Sequence, residues 1–175
     1  MLTLTKIYKE QIPAGVLERL YEESYDRNTV ERERVGDDKI QDELLNGYGS
    51  MPIVQYDVDG YIVGFASYHE KLFNGKKYYT QNFCVYGKDK NGSRSWWWSE
   101  DFQAKSWEFM KNEGLDGIIA VHNPDSEIGK AALASFNRFS QYYEPPVVVD
   151  PEEAKMLVPA AGSGILKAFI IKMVQ

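Results

Sequence analysis

The stretch from Lys77 to Val121 constrains the fold more than any other part of this 175-residue chain. Tyr79, Phe83 and Val85 belong to a buried strand within Lys77 to Tyr86. The polar segment KDKNGSRS follows, and then Trp98, Phe102, Phe109 and Met110 fall on one broad helical face. Gly114 stands where a helix stops, because glycine reaches the left-handed conformation without steric cost. Leu115 to Val121 is an apolar run of strand length. A strand, loop, helix and strand within roughly 45 residues is a βαβ crossover. Such a unit places its loop and helix N-terminus at the carboxyl edge of a sheet, where ligands bind.

The rest of the chain supplies the partners for that unit. LTLTKIY (residues 2 to 8) alternates and predicts a first strand, with Leu2, Leu4 and Ile7 inward. Pro13 suits a first helical turn, and Leu17, Leu20, Tyr21 and Ser24 follow at helical spacing over about three turns. Residues 26 to 38 are charged and read as a solvated or acceptor-binding segment. Ile40, Leu44 and Leu45 predict a second short helix, stopped by Gly47 and Gly49.

Met51 to Val58, Tyr61 to His69 and Lys77 to Tyr86 then read as an antiparallel meander. Its links contain Asp59-Gly60 and Asn74-Gly75, the dipeptides of tight hairpin turns. After Val121, Asp125 or Ser126 can cap a helix with Glu127 in its first turn. Ile128, Ala132, Ser135, Phe136 and Phe139 mark the buried face of that helix, and Pro145-Pro146 forbids its continuation. Val147 to Val149 is a brief strand, Glu152 to Met156 a helical turn, and PAAGSG a flexible link. Ile165 to Val174, apolar on nearly both faces, is an interior strand.

Length and composition point to one domain over residues 1–175 with an aromatic-rich core, since aromatic residues make up 14% of the chain. The single cysteine, Cys84, excludes an internal disulfide and a cysteine-based zinc site. His69 and His122 have no carboxylate at ligand spacing on a helix, so no metal is expected. The absence of a spanning apolar run and of a signal sequence predicts a soluble, cytoplasmic protein with no membrane partner. A net charge of −6 disfavours nucleic acid as a partner. The local cluster Lys88, Lys90 and Arg94 suits a compact anion instead.

The order of elements resembles the Gcn5-related N-acetyltransferase (GNAT) superfamily over essentially the whole chain. The resemblance implies an α/β (α+β) fold. Its mixed sheet would have about seven strands, an N-terminal antiparallel meander, a βαβ crossover and helices on both faces. In that family a Gln/Arg-x-x-Gly-x-Gly/Ala loop and the helix after it bind the pyrophosphate of acetyl-CoA through backbone amides. Here Asp89 stands at the first position, Gly92 at the glycine position and Arg94 at the last small position. The resemblance thus implies an acyl-CoA co-substrate held by Val85, Lys90, Asn91, Gly92, Ser93, Arg94, Ser95 and Asn123.

Family members also carry Ala and then Tyr on the helix after that Asn. Ala131 or Ala132 fits the first, and Phe136 falls at the tyrosine position. Tyr142 and Tyr143 are then the candidates for protonating the departing thiolate, and Glu70 and His69 for taking the proton of an amine. The resemblance implies N-acyl transfer to a small-molecule or peptide amine. A second reading is an inactive structural or interaction module, similar to degenerate GNAT-like proteins among phage virion-associated proteins. In that reading Trp96 to Trp98 would meet a protein partner.

Overall fold

Two Xaa-Gly dipeptides set the hairpins as their chemistry requires. The computed structural model describes residues 1–23, 51–81, 84–158, 161 and 164–175. Both residues of Asp59-Gly60 and of Asn74-Gly75 have positive φ (51° and 82°, 51° and 76°). That twist matches the right-handed twist of the strands they join. The expectations on Ser24, residues 26 to 38, the helix of Ile40, Leu44 and Leu45, its stops Gly47 and Gly49, Phe83 and most of PAAGSG lie outside the described residues.

The chain forms two compact units, Met1–His69 with Gln81–Trp97, and Glu70–Thr80 with Trp98–Gln175. The first unit holds β1 (Leu2–Tyr8), α1 (Val16–Glu23), β2 (Pro52–Val58), β3 (Tyr61–Ser67) and β6 (Cys84–Tyr86). Its four strands are antiparallel in the order β1-β2-β3-β6, so β6 is an edge of this sheet. On one face, Leu17 and Leu20 of α1 pack with Ile7, Ile53, Phe65 and Val85. Pro13 lies ahead of this helix, where its carbonyl accepts from Val16 N at 3.3 Å.

The other face is aromatic. Tyr56 meets Tyr86 edge to face with centroids 5.3 Å apart, and Trp96 lies 5.6 Å from Tyr86. Tyr56 and Tyr86 both stand opposite Gly64 in the strand register. A methyl group on Gly64 would sit 2.7 Å from the Tyr86 ring and 3.1 Å from the Val85 carbonyl oxygen. The missing side chain is therefore what lets the rings lie on the sheet.

The second unit holds all but the first residue of β4 (His69–Phe73), and β5 (Lys76–Thr80), α2 (Glu100–Asn112), β7 (Gly117–His122), α3 (Glu127–Arg138), β8 (Val147–Val148), α4 (Pro151–Leu157) and β9 (Lys167–Lys172). Its sheet order is β4-β5-β7-β9-β8. β5 runs parallel to β7, and β9 runs antiparallel to both β7 and β8. The final strand is interior, as its apolar faces predict. Ser99 caps α2 by accepting from Phe102 N at 3.1 Å, and Gly114 follows that helix with φ 73°. Ser126 caps α3 by accepting from Gly129 N at 3.0 Å.

The mixed α/β class agrees with the sequence reading, while two details differ. The apolar stretch from Lys77 to Tyr86 is two strands in different sheets, β5 paired with β7 and β6 paired with β3. Alternation marks which residues are extended but carries no sign of a change of partner. The buried face of α2 is Phe102, Gln103, Ser106 and Met110. Trp98 lies ahead of the helix with φ 56°, and Phe109 is only half-buried. Polar Gln103 escapes the hydrophobic pattern because it is buried by pairing: its Nε2 donates to Ser135 Oγ at 3.0 Å.

Gly64→Ala should cost about 2 kcal/mol, because a methyl group there must displace the Tyr86 ring in a packed core. Urea unfolding should show a lower midpoint with an unchanged slope.

Candidate functional site

The segment from Gly87 to Ser99 joins β6 to α2, and its backbone leaves the ladder at once. Gly87 N donates the last strand bond, to Val63 O at 2.8 Å. Antiparallel alternation then directs the amide and carbonyl of Val85 at Phe65, its register partner in β3. The Val85 side chain is in the core beside α1.

Beyond Gly87 the amides find acceptors within the protein. Lys88 N donates to Glu23 Oε2 at 3.0 Å. Asp89 organises the next turn: its N–H donates to Ser93 O at 2.8 Å, and its carbonyl accepts from Gly92 N at 3.0 Å. One carboxylate oxygen, Asp89 Oδ1, accepts from both Asn91 N and Ser93 N at 2.9 Å. Gly92 takes φ 78°, which a residue with a side chain rarely adopts. Ser93 Oγ accepts from Ser95 N at 3.1 Å and donates to Ser95 Oγ at 2.8 Å.

The loop is also tied to α1. Arg94 Nη2 donates to Glu23 O at 2.6 Å, and the Glu23 carboxylate lies 3.4 Å from Arg19. Trp96 is buried and its Nε1 donates to Gly87 O at 3.1 Å. Of the three cationic side chains here, Lys90 is exposed, whereas Lys88 and Arg94 are half-buried.

Lys90, Asn91, Gly92, Ser93, Arg94 and Ser95 are thus brought together in one turn, and Asn123 belongs to the second unit. Asn123 shapes the entry to α3: its Oδ1 accepts from Asp125 N at 3.0 Å, and its carbonyl accepts from Ser126 Oγ at 2.9 Å. Gly129 is required there, because a Cβ would lie 1.9 Å from that carbonyl oxygen.

The proton-transfer candidates stand at the start of β4 and just after α3. Glu70 is exposed and pairs with Lys77 at 3.6 Å, while His69 is partly buried at the start of β4. Phe136 is buried against Trp98 and Tyr143, with centroids 5.9 Å and 5.2 Å away. The Tyr143 hydroxyl is buried with the Gln103 carbonyl oxygen at 3.5 Å, and Tyr142 packs beside Trp107. The tryptophan triplet is packed too. Trp97 is half-buried beside Tyr86, and Trp98 is half-buried against Phe102 and Phe136.

Three residues escaped the reading of the sequence. Glu23 reaches the loop across 65 positions, and no local pattern announces such a contact. Asp89 carried a signal that could have found it, since Asp-x-Asn-Gly is a turn pattern in which the carboxylate takes amides further along. His122, at the end of β7, lies 6.4 Å from the Trp98 ring, and burial lowers its imidazole from the ordinary 6.5 to about 4. It is neutral at physiological pH. Among the described residues no cluster of three or more His, Cys, Asp or Glu could hold a metal ion, and no helix is long and apolar enough to cross a membrane.

No protein-family profile matches the sequence, and no curated protein matches it. Solved structures match its fold. A Desulfovibrio desulfuricans protein described as an acetyltransferase of the GNAT family is 13% identical, with a TM-score of 0.53 over 100% of this chain and 99% of its own. The Bacillus subtilis N-acetyltransferase YlbP, solved in complex with coenzyme A, is 12% identical, with a TM-score of 0.52 over 100% of both chains. A Staphylococcus epidermidis protein described as an acetyltransferase is 10% identical, with a TM-score of 0.51 over 100% of both chains. The fold of the described residues is GNAT-like.

The lowered His122 pKa gives stability a pH dependence. Between about 6.5 and about 4 the unfolded chain binds a proton that the folded chain refuses, so stability falls as pH drops through that window. The loss should approach about 3 kcal/mol at its full extent. His122→Gln should flatten the slope of unfolding free energy against pH, measured by urea denaturation at pH 7 and pH 4.5.

Proposed function

We propose that this chain is an N-acyltransferase of the GNAT type, moving an acetyl or other acyl group from acyl-CoA to an amine. The observation that carries this reading is the full-length GNAT-like fold, shared with an N-acetyltransferase that was solved with coenzyme A. A basic, glycine-containing turn at the junction of β6 and α2 supports it. In the reaction the amine nitrogen attacks the thioester carbonyl, a C–N bond forms, the C–S bond breaks, and the amine proton is carried off as the thiol leaves. The charge of −6 favours a cationic acceptor, a small molecule or a peptide. Acyl-CoA chemistry would place the protein in the cytoplasm.

A second reading has a specific observation behind it. The Tyr143 hydroxyl is buried against Gln103, and the family resemblance aligns Phe136 with the position of the family's tyrosine. A non-catalytic structural module, such as one associated with a phage virion, needs no phenol at that place.

Isothermal titration with acetyl-CoA and with free CoA separates the two. Lys90 is the residue to vary, because it is exposed, whereas Arg94 anchors the loop to α1. Under the acyltransferase reading both ligands bind, and Lys90→Glu weakens them roughly tenfold by reversing a charge near the phosphates. Absence of binding at millimolar ligand would reject acyl transfer in favour of the structural module.

A further inference from the structure

The loop that would receive the pyrophosphate already contains anions of its own. We infer that the Asp89 carboxylate occupies the phosphate position of the turn and acts as a built-in competitor, so that this residue sets how tightly the chain holds a diphosphate. The inference rests on the acyl-CoA reading for its ligand, but its geometry stands independently. A turn that binds phosphate does so by converging backbone N–H groups on one oxygen. Here Asn91 N and Ser93 N converge on Asp89 Oδ1, both at 2.9 Å, and Gly92 N is taken by the Asp89 carbonyl at 3.0 Å. Charge-assisted bonds of this kind are about twice as strong as neutral ones.

A second carboxylate takes one more amide, one residue upstream of Asp89. Lys88 N donates to Glu23 Oε2 at 3.0 Å. Gly87 has made room for it, since a Cβ at that position would lie 2.6 Å from the same Oε2 and 2.8 Å from Leu20 Cδ2. Arg94, which could otherwise reach a phosphate, donates to the Glu23 carbonyl. A diphosphate entering this turn must displace Asp89 from two amides and then remain beside its negative charge.

The test compares the full-length protein with Asp89→Asn and Asp89→Ala. Asparagine keeps an oxygen acceptor for both amides and so preserves the turn while removing the charge. Alanine removes the acceptor as well. Each protein is titrated with inorganic pyrophosphate, CoA and pantetheine, following the amide resonances of Asn91 and Ser93 together with the heat of binding. The expected result is that Asp89→Asn binds pyrophosphate and CoA roughly five- to tenfold more tightly than the parent, more so at low salt, with pantetheine unchanged.

Equal or weaker pyrophosphate affinity in both variants overturns the inference, and so does a tightening that pantetheine shares. Tighter pyrophosphate binding with no CoA binding by any of the three proteins upholds the role of Asp89 and rejects the acyltransferase reading. CoA binding that is identical in all three proteins does the reverse.

Discussion

A backbone that leaves a sheet strips its amides of ladder partners, and every one that is not solvated needs another acceptor. Much of the first unit depends on how that requirement is met after Gly87. Glu23, at the end of α1, offers its carboxylate to Lys88 and its carbonyl to Arg94. Asp89 offers three oxygen contacts to the amides of Asn91, Gly92 and Ser93. These bonds fix the turn, orient the chain into Trp96 and hold the last turn of α1 against the loop. A segment whose composition suggests an open phosphate cradle is therefore already internally bonded.

The sheet beneath that loop is finished differently on its two faces. One is aliphatic and carries α1, through Leu17 and Leu20. The other is aromatic, with Tyr56, Tyr86 and Trp96 gathered over Gly64. Burial raises the Tyr56 phenol well above its ordinary range, so it stays neutral at physiological pH. In the second unit the polar centre is the buried chain from Gln103 Nε2 to Ser135 Oγ to the Trp98 carbonyl. It joins two helices to a residue with positive φ, and satisfying that carbonyl helps hold the left-handed backbone. The residue types suited to proton transfer are thus largely absorbed by packing and pairing. Tyr143 lies with Gln103, and Glu70 with Lys77.

Periodicity, turn dipeptides and helix caps made most of the architecture legible. Asp59-Gly60 and Asn74-Gly75 lie at their hairpins, Ser126 at its cap and Gly114 just past its helix. The loop residues from Lys90 to Ser95 were legible as a group because they are contiguous. The departure at Lys77 to Tyr86 has a different cause, since the side-chain alternation of an extended chain is the same whichever strand lies beside it. Likewise, Tyr142 and Tyr143 were equivalent candidates in the sequence, and the turn after α3 buries one hydroxyl and leaves the other beside Trp107.

The sequence by itself determined the local conformations: which residues extend, which coil and where the chain must turn. These follow from steric and hydrogen-bonding properties that a residue shares only with its near neighbours. The tertiary structure decided the partners. It assigned β5 and β6 to different sheets, brought Glu23 to the amide of Lys88, set His122 beside Trp98, and made Asp89 the occupant of its own turn. Apart from the turn at Asp89, these pairings join positions far apart in the chain. Such pairings are chosen by the packing and charge balance of the whole fold, which local pattern does not encode.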